Sequence, residues 1–202
     1  MFISLEGVDG SGKSTQAKLL AEELGEGTGS VREPGGTAAG ERIREVLKEP
    51  GLALEPLAEL LLFCAARAEL VAEVIRPALD EGRDVVCDRF SDSSVAYQGI
   101  ARGLGAARVE QLCGIATEGL WPDLTIVLRL DPAEAAKRIS DRAADRFEGE
   151  GLELQRQVAA GYEEVARRHP QRVRVVDASG PVGEVHAAVM AELSAQRAKA
   201  GS

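Results

Sequence analysis

Gly7–Ser14, GVDGSGKS, constrains this chain more than any other stretch, because it fits the spacing G-x-x-x-x-G-K-[ST] and does so once. It follows a short apolar run, FISL, and precedes an amphipathic stretch. That strand–loop–helix setting is what the motif requires. Glycines let backbone N–H groups curl around a phosphate, and the N-terminus of the following helix adds partial positive charge. Gly7, Val8, Asp9, Gly10, Ser11, Gly12, Lys13, Ser14 and Thr15 are therefore the expected nucleotide grip. Lys13 would reach the β- and γ-phosphates of a triphosphate such as ATP, and the Ser14 hydroxyl would ligate Mg²⁺. Asp9 is the misfit, an acid in a loop built to hold anions.

The remaining chain repeats one rhythm. The runs SVRE, DVVC, LTIVLRL and RVRVVD, rich in β-branched residues, alternate with amphipathic stretches near 13–24, 37–48, 55–82, 105–118, 132–143, 152–168 and 183–198. Leu154, Val158, Tyr162 and Val165 keep helical spacing, as do Val182, Val185, Val189 and Leu193. Strands alternating with helices predict an α/β domain over residues 1–202, with a parallel sheet covered on both faces. Pro77 lies inside the 55–82 pattern and should kink or break it. Residues 141–151, DRAADRFEGEG, are charged and nearly free of apolar side chains, so they read as a mobile flap.

Charge narrows the partners. A formal net charge of −9 argues against a nucleic-acid polymer, which usually needs a basic surface to displace counterions. A small phosphorylated ligand needs only a local cluster of arginines. No apolar run has membrane-spanning length, and no charged-then-apolar leader opens the chain, so the expectation is a cytoplasmic protein with no membrane partner. Cys64, Cys87 and Cys113 are widely spaced in apolar company, which suggests reduced packing residues.

Three stretches behind the loop go further: REPGGT at 32–37, DRFSDSSVAYQG at 88–99 and DRFE at 145–148. Together with the loop they make the chain similar to thymidylate kinases, from Phe2 to about Leu193. The resemblance implies a three-layer P-loop NTPase fold, a five-stranded parallel sheet flanked by helices on both faces, usually as a homodimer. It also implies transfer of the γ-phosphate of ATP to dTMP, giving dTDP.

Residue types can be weighed beside that likeness. Phe63 and Arg67 are four apart and would share a helix face, where a ring can stack on a base and a guanidinium can bond its edge. Read alone, Phe63 in ELLLFCAA is ordinary core. The resemblance implies instead that Phe63 stacks on thymine and Arg67 reads a ring carbonyl, with Ser94 and Gln98 at the same base edge. It further implies that Arg44 and Arg89 hold the acceptor phosphate, a task that suits planar, fork-like donors. Read alone, both would be solvated surface. Asp88 ends the buried-strand pattern DVVCD, where a P-loop kinase needs a carboxylate near Mg²⁺. Glu33 is a weaker candidate for that polar site. The resemblance gives Asp9 the sugar 3′-hydroxyl as partner and packs Tyr97 near the sugar's 2′ carbon.

One branch of the family carries an arginine at the loop position held here by Gly10. Its absence points to basic residues of the flap. Arg138, Arg142 and Arg146 are spaced by four, and Arg142 or Arg146 is expected to close over the phosphates. Asp141 and Asp145 could equally pair with them as a charged, solvated face. Val31, Phe90 and the RAEL that includes Arg67 depart from the family pattern without touching an expected phosphate ligand. Rival readings are a kinase for another nucleoside monophosphate, a P-loop switch or motor, and an inactive nucleotide-binding scaffold. A GTPase would need N-K-x-D, which the chain lacks.

Overall fold

The computed structural model describes residues 1–139, 146–147 and 151–200. Its strands are β1 (Phe2–Glu6), β2 (Gly29–Arg32), β3 (Val85–Asp88), β4 (Leu124–Arg129) and β5 (Val173–Asp177). They pair in parallel in the order β2-β3-β1-β4-β5. Every residue of β1 is buried, as are most of β3 and β4, whereas edge strands β2 and β5 are only partly covered. That gradient explains why the central strands read as unbroken apolar runs: both of their faces meet helices.

The helices are α1 (Lys13–Leu24), α2 (Ala38–Lys48), α3 (Pro56–Leu70), α4 (Arg76–Asp80), α5 (Ser91–Ser94), α6 (Ala106–Ala116), α7 (Pro132–Ile139), α8 (Gly151–Arg168) and α9 (Val182–Ala200). One face of the sheet gathers Phe2, Val85 and Cys87 with Leu70, Ile75 and Phe90. Ile3, Leu5 and Val86 turn the other way and join Leu20, Val189 and Leu193.

The long pattern over 55–82 is neither broken nor one plain helix. Between α3 and α4 the backbone widens into a π-helical stretch, Val71–Ile75, and Pro77 sits in the first turn of α4. A proline lacks the N–H of a regular turn and crowds the carbonyl four residues back, and a widened turn absorbs both effects. A second π-helical stretch, Val95–Ala101, follows α5 and was not foreseen. All three cysteines are free and buried, as expected.

Strands β2 and β3 lie on one side of β1, and β4 and β5 on the other. Ligands of open α/β sheets bind beyond the carboxyl ends of the strands where the order switches direction. Here those ends are Glu6 of β1 and Asp88 of β3, with Leu5 paired to Asp88 in register.

Candidate active site

The chain leaves β1 at Glu6 and enters the glycine loop. A Cβ at Gly10, whose φ is +82°, would lie 2.3 Å from the Ala135 carbonyl oxygen. The loop is thus seated directly on α7, and only glycine fits there. Helix α1 begins without a side-chain cap, so its first backbone N–H groups remain available to an anion. Lys13 is 6% exposed, and its Nζ donates to the Val8 carbonyl at 2.8 Å. Burial and the nearby Arg89 pull its pKa down to about 8. Val8 acts through its backbone alone, since its side chain belongs to the core.

Asp9 is answered by Arg89. The Arg89 Nη2 donates to Asp9 Oδ1 at 2.6 Å, and the Tyr97 hydroxyl and Gln155 Nε2 donate to Oδ2 at 3.2 and 3.3 Å. Burial alone would raise the Asp9 pKa, but Arg89 and Lys13 outweigh it and hold the carboxyl well below its usual range. The acid in the loop therefore anchors a cation beside the phosphate grip.

Arg89 is itself held from several sides. Its backbone lies at φ +72°, a region that costs a non-glycine residue roughly 1–3 kcal/mol. Its Nη1 donates to the Gly7 carbonyl, Ser93 Oγ and the Tyr162 hydroxyl at 3.0, 3.1 and 2.9 Å. Beneath it, the fully buried Glu6 accepts from Phe90 N, Ser93 Oγ and the Tyr162 hydroxyl. Sequence reasoning missed Glu6, Tyr162 and Gln155. The one available signal was an acid, Glu6, ending a strand of apolar residues.

Ser14 Oγ donates to Asp88 Oδ2 at 2.5 Å, which brings the two expected metal residues together at the start of α1 and the end of β3. Among the described residues no group of three His, Cys, Asp or Glu side chains could hold an ion by itself. A hydroxyl beside one carboxylate fits a hard cation that takes its other oxygens from phosphates and water, as Mg²⁺ does. Glu33 does not join this pair. Both of its oxygens accept from Arg67, at 2.7–3.1 Å, and burial raises its pKa to about 7 while Arg67 opposes the rise.

Loop, Asp88 and Arg89 open on one cleft of about 690 Å³. One end is lined by Arg138, Ala178 and Gly180–Val182, none of which had been assigned to the site beforehand. Arg44, Phe63, Ser94, Tyr97 and Gln98, each named from the sequence, line the cleft away from that end, together with Lys48 and Phe147. Arg44 reaches the Pro34 carbonyl at 2.8 Å. Phe147 packs its ring 5.9 Å from Phe63 and 6.0 Å from Tyr97.

Arg67 departs from expectation. It is 1% exposed and lies behind the cleft wall, where Glu33, Cys113, the Phe90 carbonyl and Ser94 take its donors. Its bonds to Glu33 hold the guanidinium in place behind Ser94, which lines the cleft. Of the flap arginines, Arg142 lies outside the described residues. Arg146 Nε donates to the Leu47 carbonyl at 2.8 Å, and its Nη2 forms an ion pair with Glu59 at 2.6 Å. Among the described residues of that stripe, Arg138 lines the cleft, and it donates to the Ala178 carbonyl.

The family profile described as thymidylate kinase matches residues 5–189. The chain belongs to the thymidylate kinase family. A thymidylate kinase of Pelotomaculum thermopropionicum is 52% identical over 196 residues, covering 94% of this chain and 90% of that protein. One from Deinococcus radiodurans is 46% identical over 198 residues, covering 96% of each. The crystal structure of thymidylate kinase from Ehrlichia chaffeensis superposes with a TM-score of 0.78 at 34% identity, covering 96% of this chain and 98% of that one. In this member of the family, the glycine loop and the residue that follows β3 meet at the Asp9–Arg89 pair.

Proposed function

We propose that this cleft transfers the γ-phosphate of ATP to dTMP, with the glycine loop holding the donor and the Phe63–Gln98 end holding the acceptor. Family membership makes the chain a dTMP kinase that uses ATP and Mg²⁺. The observation that carries the division of labour is the Asp9–Arg89 contact of 2.6 Å. It holds Arg89 directly against the donor loop, which supports a single meeting place for both substrates.

Lys13 and the N–H groups of Gly10–Ser14 hold the β- and γ-phosphates. Ser14 and Asp88 would hold Mg²⁺, which when bound would neutralise charge on the phosphate oxygens. Arg44 and Arg89 orient the dTMP phosphate, whose oxygen attacks the γ-phosphorus as the bond to the β-phosphate oxygen breaks. That oxygen is already ionised at neutral pH, so no general base is required. Asp9 accepts from the 3′-hydroxyl, and Tyr97 packs where a 2′-hydroxyl would project. Phe63 stacks on the base. Catalysis is positioning and charge stabilisation throughout.

A coupled ADP-release assay across dTMP, dUMP, dCMP, dAMP and dGMP tests the reading. Strong preference for dTMP is expected, and equal use of dCMP refutes the assigned base site. The same reading makes residues 1–202 one catalytic unit acting in the cytoplasm as a homodimer. Leu57 and Leu61 of α3 and Ile115 of the neighbouring α6 support the dimer, being 37%, 49% and 76% exposed. No described helix is long and apolar enough to cross a membrane.

A further inference from the structure

Behind Gln98, at one end of the cleft, lies a buried acid that the phosphate chemistry does not use. Glu59, on α3 one turn before Phe63, has no exposed surface. Gln98 Nε2 donates to its Oε1 at 2.7 Å. Arg102 donates to both of its oxygens at 3.0 Å, and Arg146 lies 2.6 Å from Oε2. Two guanidinium groups thus balance its charge, as a carboxylate without solvent requires.

A carboxylate accepts hydrogen bonds and donates none. Gln98 must therefore turn its amide nitrogen toward Glu59 and its carbonyl away. Gln98 lines the cleft, and among the described residues nothing donates to its Oε1. Beside it, Ser94 Oγ accepts from Arg67 Nη2 at 3.0 Å, so its own hydrogen is left to donate. Ser94 lines the cleft as well. Two buried carboxylates, Glu33 through Arg67 and Glu59 directly, therefore impose one order on the recognition edge: a hydroxyl donor, then a carbonyl acceptor. A 2,4-dioxopyrimidine offers the complement, a ring carbonyl next to a ring N–H. A 4-aminopyrimidine offers an amino group next to a bare ring nitrogen and clashes in polarity at both positions.

We propose that Glu59 is a positioning residue that fixes the Gln98 amide and thereby selects dioxo- over aminopyrimidine nucleotides. The inference rests on the dTMP reading of the cleft and adds the group that enforces it. Glu59→Gln replaces a pure acceptor with an amide that both donates and accepts, so Gln98 can turn over. The ratio of kcat/KM for dTMP to that for dCMP should then fall by roughly tenfold or more, the cost of a mismatched buried hydrogen bond. The exchanged pair, Glu59→Gln with Gln98→Glu, returns a pure acceptor to the cleft and should restore the ratio. If Glu59 only supports the fold, Glu59→Gln lowers melting temperature and both kcat/KM values together, the ratio stays put, and the proposal is overturned.

Should Glu59→Gln fail to fold, nitrogen-15 NMR of the wild-type glutamine side chains decides the matter. The Gln98 NH₂ hydrogens should be protected from exchange without nucleotide and keep that protection when dTMP binds. Hydrogens that transfer to a nucleotide acceptor overturn the assignment. Wild-type turnover of dTMP, measured in the same assays, tests the underlying reading separately. An inactive wild type defeats the function, whereas an active wild type with an unchanged variant ratio defeats only the role of Glu59.

Discussion

Lys13 sits almost sealed beneath the loop, and its pKa of about 8 makes it a titrating group near working pH. In the free protein the ammonium is lost as pH rises past about 8, whereas a bound triphosphate favours the protonated form. ATP affinity should therefore weaken from pH 8 upward, with proton uptake on binding rising from about half a proton at pH 8 toward one above it, and calorimetry in buffers of different ionisation enthalpy reads both. Lys13→Ala should abolish that uptake and lower turnover by about 10²-fold or more with any acceptor. Phe63→Ala tests the opposite end. Stacking of a base on a ring is worth roughly 1–3 kcal/mol, so dTMP should bind about 5- to 150-fold more weakly while ATP affinity holds. A lower melting temperature with unchanged dTMP binding would show the ring to be core. At this scale the sequence was legible wherever spacing carries the chemistry, as in Gly7–Ser14. It was silent on Glu59 and Tyr162, and marked Glu6 only as an acid ending an apolar strand, because their partners lie far away in the chain and a lone acid or tyrosine resembles surface until the fold closes over it. Arg67 could have been read more closely: a guanidinium in an apolar helix goes inward when a carboxylate such as Glu33 waits there.

The apolar runs located all five strands to within a residue or two, since buried parallel strands leave a continuous signal. The π-helical stretches left none. Over five or seven residues, a wider turn shifts the side-chain pattern too little to separate from an ordinary helix. Yet the second stretch carries Tyr97 and Gln98 and is packed by α8, where a Cβ at Gly161 would lie 2.9 Å from the Ala96 backbone. Gly161→Ala should therefore overpack this contact at a cost of about 1–3 kcal/mol. In a chain of this size that lowers Tm by roughly 2–12 °C, measurable by calorimetric scanning. The dTMP requirement should rise with it, because the displaced element holds the acceptor residues.

For the molecule as a whole, net charge −9 coexists with a cleft that gathers Lys13, Arg44, Arg89 and Arg138. Overall acidity and local basicity together favour a small anion over a polymer. If α3 and α6 form the contact between copies, Leu61→Asp with Ile115→Asp should convert a dimer to monomers in sedimentation. A wild type that sediments as a monomer at micromolar concentration would remove that proposal. The seat of Gly10 on Ala135 also bears on how this lineage can change. No single codon substitution at that position can import a positively charged side chain, because α7 would have to retreat first. Descendants of this chain are thus confined to drawing any catalytic cation beyond Lys13 from positions other than 10, unless a remodelled α7 comes earlier in their history.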